Sequence, residues 1–192
     1  SFFNPIEMSY QAPFVDAATS VDPVNRGNTF ISYYSYGSAL GLALDLALRN
    51  EKGNLSLDGY MQSVWKSYGK NEKPYTIDNL HQALNKYAGK LFGDYFFNHF
   101  IYKSAMPNYG PLFKRVGVIL KQDSKKVYFG VSTSSSGVVR NNAQIGTPAY
   151  KAGLNSGDKI IAIDNHVVGS NNSVNKILGN YKINFDEFKI LL

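Results

Sequence analysis

Apolar residues recur at intervals of three and four through roughly the first 110 positions, then give way to short β-branched runs. The first pattern is that of helices with one buried face, the second that of strands. Asn4-Pro5-Ile6-Glu7 predicts a helix start: Asn can cap, Pro fits the first helical position, and Glu three residues past the cap can reach back to a free N–H. Pro13 predicts a stop or kink near Ala12, and Val15 to Thr29 reads as a loop with turns at Asp22-Pro23 and Arg26-Gly27-Asn28. From about Ser32 to Arg49 runs a helix in which every residue from Ala39 to Leu48 is Ala, Leu or Gly except Asp45. A helix apolar almost all round belongs in the middle of a core. It is too short to span a bilayer, which takes about 20 apolar residues.

Ser56-Leu57-Asp58-Gly59 opens the next helix, with Tyr60, Met61, Val64, Trp65 and Tyr68 on its apolar face and Gly69 at its end. Thr76 to Asn79 caps another, with Leu80, Ala83, Leu84, Tyr87 and Ala88 on one face and Gly89 as its stop. A shorter helix is expected over Phe92 to Phe100. Strand candidates follow at Val116 to Lys121, Val127 to Thr133, Val138 to Arg140 and Phe188 to Leu192, the last with an exposed edge. A helix from about Ser173 to Asn180 precedes that final strand. The expected fold class is α + β: a helical bundle segment over 1–115, then a small β-rich domain over 116–192.

Composition narrows the chemistry. At 44% hydrophobic and 18% charged, the 192 residues suit an ordinary folded chain of one large or two small domains. The net charge of +6 is spread without any run of five basic residues, so neither nucleic acid nor membrane is an expected partner. With no cysteine, disulfides, thiol catalysis and Cys-ligated zinc are excluded. The start at Ser1, without Met and straight into Phe2-Phe3, predicts a segment cut from a longer protein.

Two stretches carry candidate chemistry. Phe30 to Gly37 sets Tyr33, Tyr34 and Tyr36 at the entrance of the apolar helix, either as an aromatic collar on the core or with one phenol facing an active site. The histidines His81, His99 and His166 precede Gln, Phe and Val, and no two are four apart, so the chain holds no His-Glu-x-x-His zinc motif. Surface or capping roles are expected for all three.

The stretch Gly146-Thr147-Pro148-Ala149, then Ala152-Gly153-Leu154, then Gly157-Asp158 and the apolar run to Asp164-Asn165 resembles a PDZ domain of the bacterial, protease-associated type. That resemblance implies a small β-barrel or sandwich with two helices over 116–192, taking peptide or protein termini as partners. It also implies that Tyr128-Phe129-Gly130-Val131 offers backbone N–H groups to a terminal carboxylate, with Val116-Gly117-Val118 a poorer match. The plain alternative is that Tyr128 to Val131 is a core strand.

The first half resembles the C-terminal part of the catalytic domain in the glycyl-aminopeptidase family of zinc metallopeptidases. The matching stretches are Ala12 to Asp16, Asn28 to Gly37, Ala43 to Arg49, Leu57 to Met61 with Trp65, and Pro74 to Thr76. That family carries a PDZ domain directly afterwards, so the resemblance runs through the chain in order. It implies a full-length parent that hydrolyses peptides with a zinc-activated water. The zinc ligands would lie upstream, on the missing N-terminal half of the catalytic domain, leaving this chain without cofactor and inactive alone. Related zinc aminopeptidases use the tyrosine of Tyr-x-Lys-Gly as an oxyanion donor; Tyr34, three before Gly37, matches, with Tyr36 in the lysine's place. Tyr33 and a packing-only collar remain alternatives. From another class, the chain would be a non-catalytic peptide-binding or scaffold module; a third reading is a homologue inactive even at full length.

Overall fold

A computed structural model describes residues 3–17, 26–121, 127–181 and 190–191. These divide into two compact units: residues 3–17 with 29–120, and residues 26–28 with 121, 127–181 and 190–191.

In the first unit, α1 (Pro5–Tyr10) begins with a reciprocal cap: Glu7 N–H donates to Asn4 Oδ1 and Asn4 N–H to Glu7 Oε2, both at 2.9 Å. α1 ends at Tyr10, near the expected break, but helix resumes at once and Pro13 opens no loop. It falls in the first turn of α2 (Ala12–Ala17), where its missing N–H would have had no helical partner. A single helical turn, α3 (Arg26–Thr29), further shortens the expected loop, whose Asp22-Pro23 turn lies outside the described residues.

The long helix is α4 (Tyr33–Leu48). Tyr36, Leu40, Ala43, Leu44, Leu46 and Leu48 are buried, but Leu42 is 45% exposed and Gly37 and Ser38 are open. The helix therefore covers the core with one broad face instead of being enclosed on every side. α5 (Leu57–Ser67) starts where Gly59 N–H donates to Ser56 Oγ at 3.1 Å. Its buried residues are Tyr60 and Val64; Met61 and Trp65, expected on the apolar face, are exposed. The Trp65 indole lies over Gly69, where a Cβ would come within 2.2 Å of the ring.

α6 (Ile77–Ala88) opens on a reciprocal Thr76–Asn79 cap and stops at Gly89, which holds a φ of 95°. α7 (Lys90–Phe96) runs on into a π turn, Phe97–Ile101. α8 (Tyr109–Arg115) is tied back by the Tyr109 hydroxyl, which donates to the Ala39 carbonyl at 2.8 Å. Leu44, Leu48, Tyr60, Val64, Leu84, Phe96 and Phe97 form the main core, with a smaller cluster of Met8, Tyr36 and Leu40. No helix among the described residues is long and apolar enough to cross a membrane.

The second unit corrects the expected barrel or sandwich. Among its described residues strand is limited to β1 (Ala162–Ile163), β2 (His166–Val167) and β3 (Ile190–Leu191), an antiparallel sheet ordered β2-β1-β3. The chain as described is mostly helical with a minor sheet. Turn residues crowd the apolar runs, so ladders end after single bridges such as Thr133–Val139 and Val138–Lys159. At Gly137, φ 89°, the backbone passes so close to another segment that a Cβ would sit 2.5 Å from the Ile160 carbonyl oxygen. The core is filled instead from loops and two short helices, α9 (Pro148–Lys151) and α10 (Val174–Leu178). Phe129, Val139, Ala149, Leu154, Ile160, Ile163, Val174 and Ile177 meet there. Val116 to Leu120 form no strand and are exposed, while Phe188, Lys189 and Leu192 of the expected last strand lie outside the described residues.

Candidate functional site

The entrance of α4 separates its tyrosines by helical register. At 100° per residue, Tyr34 and Tyr36 point to nearly opposite sides. Tyr36 is 3% exposed, and its hydroxyl is buried without a hydrogen-bond partner among the described residues. Burial, and then the neighbouring Tyr109 phenol, raises its pKa. Tyr34 is 74% exposed, and its hydroxyl makes no hydrogen bond among the described residues. Its ring lies against Tyr33, centroids 4.5 Å apart and tilted by 36°. Tyr36 thus packs into the core, and Tyr34 lies on the exposed side of the helix.

One turn further along α4 an apolar pocket of about 350 Å³ opens within the first unit. Ile6 and Tyr10 of α1, Gly37, Leu40 and Gly41 of α4, and Phe97 line it, with more apolar groups behind. Sequence reasoning missed this recess; Gly37 and Gly41, four residues apart, are the signal that could have found it.

The histidines divide differently from expectation. His81 is inside a network: its Nε2 pairs with Asp94 Oδ1 at 2.9 Å and its ring stacks on Phe97 at 4.5 Å. Asp94 also accepts from Asn85 Nδ2 at 2.8 Å and from Lys90 Nζ. Lys90 first, then Asn85, holds the Asp94 carboxyl down at about 2. The Tyr102 hydroxyl donates to Asp78 Oδ1 at 2.9 Å beside His81 Nδ1, and burial, then Asp78, pushes this phenol up to about 12. The network joins α6, α7 and the π turn, with Asn85 Oδ1 buried and without a partner among the described residues. His99 Nδ1 bonds the Tyr95 carbonyl at 2.8 Å, and His166 is exposed on β2. No group of three His, Asp or Glu side chains among the described residues stands close enough to hold a metal ion.

In the second unit Tyr128 to Val131 is a bend, not a strand. Phe129 is buried in the core and its carbonyl accepts from Ala149 N–H at 3.0 Å, which fixes the loop against α9. Tyr128 is exposed and its hydroxyl donates to Gln144 Oε1. Gly130 has φ 98° and packs directly on Thr147. The N–H groups of Gly130 and Val131 make no hydrogen bond among the described residues. Asn28 braces the neighbouring segment, its amide accepting from Ile145 N–H at 2.7 Å and donating to the Ala143 carbonyl at 3.1 Å.

No protein-family model matches the chain, and neither does any curated protein. The solved structure of an aminopeptidase N family protein from Idiomarina loihiensis is similar to it, at 27% identity and a TM-score of 0.61. That likeness covers 86% of this chain and 32% of the other, so the chain spans about a third of that protein's length. Neither unit alone makes up such a share of the chain, so the likeness draws on both. At this coarse level the chain is aminopeptidase-like in structure.

Proposed function

We propose that this chain is the C-terminal portion of a zinc-dependent, aminopeptidase-like metallopeptidase. The helical unit would close the catalytic domain and the second unit would receive a peptide or protein terminus. The observation that carries this reading is the likeness to an aminopeptidase N family protein over 86% of the chain. The described residues do not fit a zinc site, so the ligands would come from the N-terminal half of the catalytic domain, and the chain alone would hydrolyse nothing. Tyr34 would donate its phenolic hydrogen to the oxyanion formed when a peptide carbonyl is attacked. Its exposure and its lack of a partner among the described residues suit that role, since a donor already bonded within the fold would have to break that bond first.

The test is Tyr34→Phe in the full-length parent. Removing one oxyanion donor costs about 2.7–4 kcal/mol of transition-state stabilisation. Turnover and kcat/KM should fall together by that amount while circular dichroism stays unchanged. Near-normal turnover would return Tyr34 to a surface role.

The N–H groups of Gly130 and Val131, unpaired among the described residues, favour a second reading, a peptide-binding module acting without catalysis. A peptide with a free C-terminal carboxylate should then bind the 192-residue chain more tightly than its C-terminal amide. Equal binding would count against the loop.

A further inference from the structure

We propose that the apolar pocket beside α4 seats an apolar side chain of a bound peptide and so selects for apolar residues near the bond being cut. The placement relative to the cut bond rests on the reading of Tyr34 above. The occupancy rests on the pocket itself. Its lining is aliphatic or aromatic except for Ser9, whose hydroxyl already donates to the Pro5 carbonyl at 2.9 Å. A charged or strongly polar group entering there would give up its water for nothing. Apolar cavities take up apolar groups. About 350 Å³ lies at the small end of ligand sites, ample for one Leu or Phe side chain.

Gly37 supplies the second argument. Glycine inside a helix is destabilising relative to alanine, so its presence there wants a reason. A Cβ at Gly37 would meet nothing within 4 Å, so no group among the described residues requires the glycine. What the missing side chain leaves is room in the pocket wall. Tyr34, Gly37 and Gly41, spaced by three and four, share one face of α4. The helix rises about 1.5 Å per residue, which sets Gly37 about 4.5 Å along the axis from Tyr34. An extended peptide advances about 3.3 Å per residue. A peptide with its carbonyl at the Tyr34 hydroxyl therefore brings a side chain within a few residues of that carbonyl to the pocket.

The test is an NMR titration of the 192-residue chain with Gly-Leu-Gly amide and Gly-Ser-Gly amide, following the methyls of Leu40, Leu44 and Leu80. The leucine peptide should shift these methyls saturably and bind about tenfold tighter than the serine peptide, as burial of one Leu side chain predicts. Gly37→Leu fills the recess from the helix and improves helix propensity, and it should abolish that preference. Gly41→Ala, whose methyl would meet Leu57 Cδ2 at an ordinary 3.8 Å, is a milder filling and should reduce it in part. Equal affinity for the two peptides, shifts confined to other residues, or an undiminished preference in both variants overturns the proposal. So do methyl shifts that grow with protein concentration and assign the pocket to a second copy of the chain. The titration needs no turnover: a parent that cleaves no peptide defeats the catalytic reading of Tyr34 and leaves the measured preference standing.

Discussion

The carboxylate of Asp45 accepts the backbone N–H of Leu57 at 2.9 Å, and Arg49 Nε donates to its other oxygen at 2.7 Å. The lone acid in an apolar helix thus supplies an acceptor to the first residue of the next helix, whose N–H has no helical partner.

Asp45→Leu should therefore destabilise the chain even though it makes α4 more uniformly apolar. Leaving the Leu57 N–H unpaired in a partly buried place costs about 1–3 kcal/mol. The Arg49 hydrogen bond first, and the Leu57 N–H after it, lowers the Asp45 pKa. Its contribution is present above the ordinary Asp pKa and is lost as pH falls through the lowered folded value. Urea unfolding of wild type and variant at neutral pH checks the first point. A variant as stable as wild type would show that water serves Leu57 equally well.

The Asp94 network gives a pH window. Lys90 first, then Asn85, with His81 contributing less, holds this carboxyl at about 2, against 3.8 for an ordinary Asp. A depressed folded pKa stabilises above the unfolded value, so the contribution should be whole above about pH 4 and lost between about 4 and about 2. The urea midpoint of the wild type should fall through that window, and the fall should be shallower in Asp94→Asn. Identical acid profiles would mean that the carboxylate is equally well placed when unfolded.

The helical caps were legible in the sequence because capping is local: Asn4 with Glu7, Ser56 with Gly59 and Thr76 with Asn79 all act across three residues. Tyr34 entered as a candidate only through the resemblance of Tyr34 to Gly37 to a family motif, and its exposure follows from how α4 packs. What could not be read depends on distant partners. Trp65 has the spacing of a core residue, yet its ring covers Gly69 at the helix end. His81 finds Asp94 only because α7 folds back on α6. In the second unit the β-branched runs were present, but pairing is interrupted by the turns between them, which periodicity does not register.

Two buried tyrosines should respond oppositely to loss of the hydroxyl. Tyr60 donates to the Leu80 carbonyl at 2.8 Å, and burial pushes its phenol up to about 12. Tyr60→Phe should cost about 0.5–1.5 kcal/mol. The Tyr36 hydroxyl has no partner among the described residues, so Tyr36→Phe relieves an unpaired group and should be neutral or stabilising by about 1 kcal/mol. Paired thermal melts decide it. A clear loss in Tyr36→Phe would reveal a bonded internal water at that hydroxyl.

Gly130 is the position in the second unit where substitution should do most harm. Its φ of 98° is one that side-chain-bearing residues rarely adopt, and an added Cβ would stand 2.2 Å from Thr147 Oγ1 and 2.3 Å from Thr147 Cβ. Thr147 has little freedom to give way. It is buried, its hydroxyl donates to the Gln144 carbonyl at 2.6 Å, and the same oxygen accepts from Tyr150 N–H at 3.3 Å to cap α9. Gly130→Ala must therefore shift the loop or break the cap. Strain of this kind costs about 1–3 kcal/mol, and a lost cap adds about 1 kcal/mol. The partner change Thr147→Ser removes the methyl group and keeps the capping hydroxyl. It should be mild alone and should recover only part of the loss in the double variant, because the backbone conformation and the clash with Oγ1 remain. Proteolysis within the second unit, followed by mass spectrometry, reads this directly: Gly130→Ala should expose cleavage sites around α9 that wild type protects. An equally protected Gly130→Ala would mean that the loop adopts another conformation at little cost, and the close approach to Thr147 would then have no structural necessity.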